Sequence, residues 1–233
     1  MSSSARFTRP ALLILLLVLA ALLAVGCGDD SDDGGSDGDS KGAKSTETSG
    51  GGADDNDLDA TVAKRDGSYD ASPGKPLDAS KTYIVELDTT KGPIKITVDP
   101  KLAPIAAANF VGLVEEGFYD GVKFHRVIEE FMVQTGDPLG TGTGGPGYEI
   151  KDDPNVVANY KPGVVAMANR GPNTGGSQFF IVQGDAVQLP PDYVIFGKTD
   201  AAGIKTVNAI AAVEVEGEAP VETVRINSAK LAS

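Results

Sequence analysis

The chain has 233 residues, enough for one ordinary domain with an appendage or for two small ones. Its single cysteine excludes a disulfide within the chain. A formal charge of −13 argues against nucleic acid as a partner, since that would need a basic face.

The first ten residues, MSSSARFTRP, carry two arginines and no acid, and Ala11 to Val25 is an unbroken apolar run. A positive start, an apolar core and a small-residue junction describe an export signal over residues 1–26. The run is shorter than the roughly 20 residues a helix needs to cross a bilayer. Cys27 follows directly, in LLAVGC, which resembles a bacterial lipobox whose cysteine is lipidated and becomes the mature N-terminus. The alternatives are an ordinary secretory signal with an incidental cysteine and an uncleaved anchor. The lipobox reading implies a membrane-anchored protein with its folded part outside the cytoplasm, held by the methylenes of the acyl chains at ~0.8 kcal/mol each.

Residues 27–80 read as the lipidated cysteine and a disordered tether. The stretch is rich in Gly, Ser and Asp and poor in large apolar side chains. It cannot bury enough surface to offset its ordering entropy. From Gly28 to Ser80 it holds 14 acids against 5 bases, so most of the net charge belongs to it. The acid-rich DDSDD lacks the spaced ligands and glycine of a calcium loop.

A folded domain is expected over residues 81–233. TYIVELDTT and GPIKITVDP alternate like two strands joined by a tight turn. Pro104 then opens a helix through IAAANFVGLVEEG, which stops at Gly117. VKFHRVI, FMVQTG, GVVAMA, SQFFIVQ and YVIFGKT read as strands, Ile204 to Val213 as a second helix, and VRINSAKLA as a closing strand. About eight short strands with two helices, few of them in strand–helix–strand order, fit an antiparallel barrel or sandwich.

GTGTGG, residues 140–145, satisfies G-x-G-x-x-G, but Pro146 and Gly147 follow it and no helix pattern does. It lacks the context of a nucleotide loop and reads as turns. Hydrolytic machinery is missing too: there is no G-x-S-x-G elbow and no H-E-x-x-H, and the cysteine belongs to the signal. No metal or cofactor is implied. The only histidine, His125, reads as a partly buried structural residue of a strand. In FHRVI, Phe124 and Arg126 share one face and His125 takes the other. By the same parity Met132 pairs with Gln134 and Gln178 with Phe180, leaving Phe179 and Ile181 for the core. These surfaces could converge on Arg126, or form a core sheet with a snorkelling arginine. Parity alone does not make the strands neighbours.

The stretches ANFVGLVEEGFYDGVKFHRVIEEFMVQTGDPLGTGTGGPGY, VVAMANRGPNTGGSQFFI and LPPDYVIFGK resemble the cyclophilin-type peptidyl-prolyl cis-trans isomerases, in the compact bacterial form. The likeness runs over most of Lys81 to Leu231. It implies a mainly β fold, a closed eight-stranded antiparallel barrel capped by two helices. It also implies Arg126 as the catalytic guanidinium, and Phe131, Met132, Phe180 and Leu189 as the pocket for the substrate proline ring. Gln134 and Asn169 would hydrogen-bond the peptide, with Ala168 and Gln178 completing the groove. Tyr193 stands where many relatives have histidine, and Gln188 where some have the tryptophan important for cyclosporin binding.

The activity the resemblance implies is isomerisation of X-Pro bonds in exported proteins, with proline-containing polypeptides as partners and no pattern demanding more than a monomer. The alternative is a peptide-binding or scaffolding module with little turnover. Rotation about a peptide bond faces a barrier of about 18–20 kcal/mol, and twisting it localises a lone pair on the prolyl nitrogen. An arginine N–H donating to that nitrogen lowers the barrier with no base, nucleophile or cofactor.

Overall fold

The computed structural model describes residues 55–154, 159–184 and 189–232. In chain order the elements are α1 (Asp55–Ala63), β1 (Tyr83–Thr89), β2 (Gly92–Val98), α2 (Pro104–Glu115), β3 (Arg126–Ile128), β4 (Met132–Thr135) and β5 (Val164–Met167). β6 (Phe179–Val182), β7 (Ile195–Thr199), α3 (Ala201–Ala211), β8 (Val215–Glu216), β9 (Ala219–Pro220) and β10 (Ile226–Leu231) complete them.

Strict alternation makes the first hairpin. Val85, Leu87 and Thr89 of β1 and Ile94, Ile96 and Val98 of β2 are buried, while Glu86 and Asp88 face out. α2 buries Ala106, Ala107, Phe110 and Leu113 and packs against β7 and β10. Pro104 sits in its first turn, and its capping position, Ala103, has no side chain to offer. The buried carboxylate of Asp153 supplies the cap from another loop, accepting from Ile105 N at 2.8 Å and Ala106 N at 2.9 Å. α3 carries its own cap, Asp200, which accepts from Gly203 N at 2.8 Å.

Eight antiparallel strands form one sheet in the order β10-β1-β2-β7-β5-β6-β4-β3. The strand count agrees with the sequence reading, but the expected closed barrel is overturned. The two edges, β10 and β3, lie 13 Å apart and do not pair, so the sheet is an open half-barrel. The cause lies at β3, which has only three residues. The backbone N–H of Val127 donates at 2.7 Å to the carbonyl of Glu218, in the two-residue turn between β8 and β9. That small hairpin takes the edge a closing strand would need. Across the seam the backbones of the two sides are joined by the isolated bridge Lys123–Arg225 and neighbouring loop bonds.

Two capping helices were expected, and the described residues hold three. The additional one, α1, lies in the segment read as tether. Arg225 explains why it folds: its side chain is 5% exposed and needs partners. The carboxylates of Asp55 and Asp59 each accept from it at 3.1 Å, and Gly121 O accepts at 3.1 Å as well. Asp59 also pairs with Lys123, so one carboxylate clasps both sides of the seam. Beyond α1, Arg65 donates to Phe118 O at 3.0 Å, while Gly67 N and Tyr69 N donate to Gly145 O and Pro146 O at 3.0 and 2.8 Å. The folded unit therefore starts near Asp55 and not at Lys81. Residues 1–54, with the signal and Cys27, lie outside the described residues.

Burial works against ionisation of Asp59, but the bonds from Lys123 and Arg225 outweigh it and hold the carboxyl below its ordinary value. A depressed carboxylate stabilises the fold above its unfolded pKa and loses that contribution as pH falls through the folded one. Asp59→Ala should cost about 1–2 kcal/mol near neutral pH, less than the 3–5 kcal/mol for a fully buried pair because Asp59 is partly exposed. In thermal melts its Tm should lie about 4 °C below that of the parent chain near pH 7, with the difference shrinking in acid. Equal melting temperatures at neutral pH would remove the clasp from the account.

Candidate active site

The sheet has two apolar faces, which is why β6 is buried at every position. Phe179 and Ile181 turn inward to the main core with Phe110 and Phe196. Phe180 and Val182 turn outward and join Met132, Tyr160 and Ala166 in a second cluster. Ile128, Phe131, Ala168, Leu189 and Tyr193 pack around it, partly buried. For Met132, Phe179, Phe180 and Ile181 these are the faces parity predicts, but Phe124, expected on Arg126's face, is buried in the main core, because it precedes the regular strand. The adjacency parity could not give comes from register: Arg126 pairs with Gln134, Gln134 with Phe180, and Phe180 with Ala166. One row across four strands thus runs from a guanidinium through an amide to an apolar floor.

Phe131, Met132, Phe180, Leu189 and Tyr193 line a groove of about 530 Å³, with Arg126, Gln134, Ala168 and Asn169 on its polar side. The Phe180 and Tyr193 rings meet edge to face at 5.4 Å. Tyr193 is fixed in turn by Tyr160, whose hydroxyl donates to Tyr193 O at 2.9 Å and accepts from Tyr193 N at 3.1 Å. Asn169 Nδ2 donates to Asp192 O at 2.7 Å, so its side chain ties down the loop that carries Leu189 and Tyr193.

The polar side is a directed relay. Gln178 Nε2 donates to the carbonyls of Gly142 and Gly144 at 3.0 and 2.9 Å, so its Oε1 must face Gln134. Gln134 Nε2 donates to that oxygen at 3.0 Å, which leaves Gln134 Oε1 to accept from Arg126 Nη1 at 3.4 Å. The glycine-rich loop at the far end is held by buried Asp137. Its carboxylate accepts from Leu139 N at 2.7 Å, Thr141 N at 3.0 Å and Gly142 N at 2.6 Å. The GTGTGG stretch is thus an anchored turn region that terminates the relay, and its glycine carbonyls set the amide direction.

Every described residue expected at the site is gathered here except Gln178, which reaches the groove through Gln134 and lines an adjoining cavity of about 580 Å³. Gln188 lies outside the described residues. His125 departs from expectation. It is half-buried, as foreseen, but it lines the groove beside Arg126, because β3 begins only at Arg126 and alternation does not extend back to it. Among the described residues neither ring nitrogen has a hydrogen-bond partner, and burial pushes the imidazole below its ordinary value.

Sequence reasoning missed contributors from three places in the chain. Asp137 carried the signal of an acid heading a glycine-rich loop. Asp66 and Gly67, in the adjoining cavity's wall, come from the presumed tether. Glu216 and Glu218 line the groove from the β8–β9 hairpin, and Glu218 forms an ion pair with Arg126. Among the described residues no group of three or more His, Cys, Asp or Glu is placed to hold a metal ion.

The family profile described as "Cyclophilin type peptidyl-prolyl cis-trans isomerase/CLD" matches residues 84–231. A probable peptidyl-prolyl cis-trans isomerase A of Mycobacterium leprae is 42% identical over 160 residues, covering 61% of this chain and 88% of its own length. A peptidyl-prolyl cis-trans isomerase of Helicobacter pylori is 44% identical over 138 residues, covering 58% of this chain and 85% of its own. Among solved structures, a cyclophilin-type isomerase of Cryptosporidium parvum, crystallised in the presence of the dipeptide Ala-Pro, superposes with a TM-score of 0.60. It is 34% identical, and the match covers 64% of this chain and 99% of that one. With the fold, the two-faced sheet and the groove in agreement, the chain belongs to the cyclophilin-type peptidyl-prolyl cis-trans isomerase family and is an enzyme of that activity.

Proposed function

We propose that the groove takes an X-Pro segment of an exported polypeptide and that Arg126 accelerates rotation of its amide. The observation that carries this reading is the row Arg126–Gln134–Phe180, in which one cation stands at the border of an apolar floor. Phe131, Met132, Phe180 and Leu189 hold the proline ring, with Tyr193 closing the wall. Gln134 and Asn169 engage the flanking backbone, while Ala168 and Gln178 shape the approach. As the amide twists, its conjugation breaks and a lone pair gathers on the prolyl nitrogen. An Arg126 N–H donates to that nitrogen in the twisted state and has no such acceptor in either planar one. This difference, and not binding strength as such, lowers the barrier. The Gln134–Gln178 relay keeps the donor's neighbour oriented before the substrate arrives, so little reorganisation accompanies the turn.

No step moves a proton. An arginine side chain stays charged at any ordinary pH. Burial, against the pull of the Asp137 charge and with the push of Arg126, holds the His125 imidazole below its ordinary value. Cys27 is proposed to carry the lipid that holds the mature protein at a bacterial membrane, with residues 27–54 as the leash of a catalytic domain outside the cytoplasm. The position of Cys27 directly after an apolar signal core supports that reading.

Arg126→Ala should lower kcat for an X-Pro peptide by about 10²–10³, the usual cost of losing one donor aimed at developing charge, with an unchanged melting curve. Full activity in that variant would sink the mechanism. Measured by exchange NMR, kcat/KM should stay flat from about pH 7 to about pH 9. A bell-shaped profile there would require an acid or base. Mass spectrometry of the mature N-terminus should find an acylated Cys27, and an unmodified terminus elsewhere would refute the anchor.

A further inference from the structure

The carboxylate of Glu218 engages the side edge of the Arg126 guanidinium, accepting from Nε and, at 3.4 Å, from Nη2. We infer that Glu218 is a positioning residue for the isomerisation, fixing the plane in which Arg126 presents its remaining donors to the prolyl nitrogen. The inference rests on the assignment of Arg126 given above.

Three observations carry it. The first is a donor count. A guanidinium has five N–H groups. Glu218 takes those on Nε and one on Nη2, and Gln134 takes one on Nη1. One N–H is left on each terminal nitrogen. An arginine held at two edges in this way offers its free donors in one orientation, where an unpaired side chain would sweep several rotamers.

The second is how the carboxylate is delivered. Glu218 sits in the two-residue turn between Glu216 and Ala219, behind Gly217 at φ 66°. Glycine at the first position is what such a hairpin turn demands. The carbonyl of Glu218 accepts at 2.7 Å from Val127 N, the backbone group next to Arg126. Guanidinium and carboxylate are therefore projected from backbone atoms already bonded to each other.

The third is magnitude. Arg126 is 39% exposed and Glu218 53%, so the pair belongs to the class of surface ion pairs that add little to stability. A contact of that kind at a groove's reactive cation has its consequence in orientation. The bond from Arg126 also holds the Glu218 carboxyl below its ordinary value, which keeps it ionised through the neutral range.

The test uses the full-length chain with kcat and KM measured separately by exchange NMR on an Ala-Pro peptide. Glu218→Ala should lower kcat about tenfold with KM and Tm unchanged. Glu218→Gln, which keeps an acceptor for Nε but loses the two-oxygen grip, should recover part of that loss. On an Arg126→Ala background, Glu218→Ala should add nothing. A kcat within twofold of the parent overturns the inference. So does a rise in kcat, which would make Glu218 a competitor for the guanidinium. So does a loss that tracks a lowered Tm in both Glu218 variants. If Arg126→Ala is impaired while Glu218→Ala is not, only this inference falls; if Arg126→Ala is fully active, the assignment beneath it falls.

Discussion

The carboxylate of Asp59 bonds to Lys123 on one side of the sheet's seam and to Arg225 on the other, where no strand pairing joins β3 to β10. An open antiparallel sheet with free edges is a liability that must be covered or paired. Here the β10 edge bonds to the 121–124 segment, with α1 tied to that seam through Asp59, and the β3 edge is occupied by a two-strand hairpin. Both devices converge on the few residues around Arg126. Lys123 is three positions before it, and the hairpin's Glu218 accepts from the residue after it. The strand bearing the proposed catalytic side chain is the shortest in the main sheet. It has a ladder on one side only, with β4, and is set on the other by charges and loop bonds.

The rest of the site inherits rigidity from the sheet. β4 and β6 carry core residues inward and groove residues outward, so the apolar floor cannot shift without disturbing the core beneath it. The amide relay adds direction to that stiffness. Two glutamine side chains could each be flipped without changing shape. The paired glycine carbonyls at one end and the guanidinium at the other admit only one orientation. Amide rotation needs little else: an apolar hold on the ring, anchored neighbours, and one donor aimed at a nitrogen that is basic only when twisted.

Much of this was legible in the sequence where periodicity was long and clean. YIVELDT and GPIKITV alternate strictly, and IAAANFVGLVEEG keeps helical spacing between Pro104 and Gly117, so these elements were readable. Parity also separated Phe180 from Phe179, but it put Phe124 on the face of Arg126, and Phe124 is buried in the main core. It failed at His125, one residue outside the regular strand. Register was not legible, because the Arg126–Gln134–Phe180 row depends on pairings among segments far apart in the chain. α1 was invisible for a different reason. Its apolar content is low, and Asp55 and Asp59 read as self-repelling charge until buried Arg225 shows what they neutralise. VEVEGEAP gave too short a pattern to stand out, although Gly217 between two acids marks a hairpin turn.

The central claim is that Arg126 recognises the twisted amide and not the planar one. Calorimetric binding of two peptides of equal sequence, one with an ordinary X-Pro bond and one with that bond replaced by a fixed twisted mimic, tests it most directly. The account predicts that the parent enzyme prefers the twisted mimic by about 10²-fold or more, and that Arg126→Ala loses this preference while binding the planar peptide as before. An Arg126→Ala variant that keeps the full preference for the twisted mimic would contradict it.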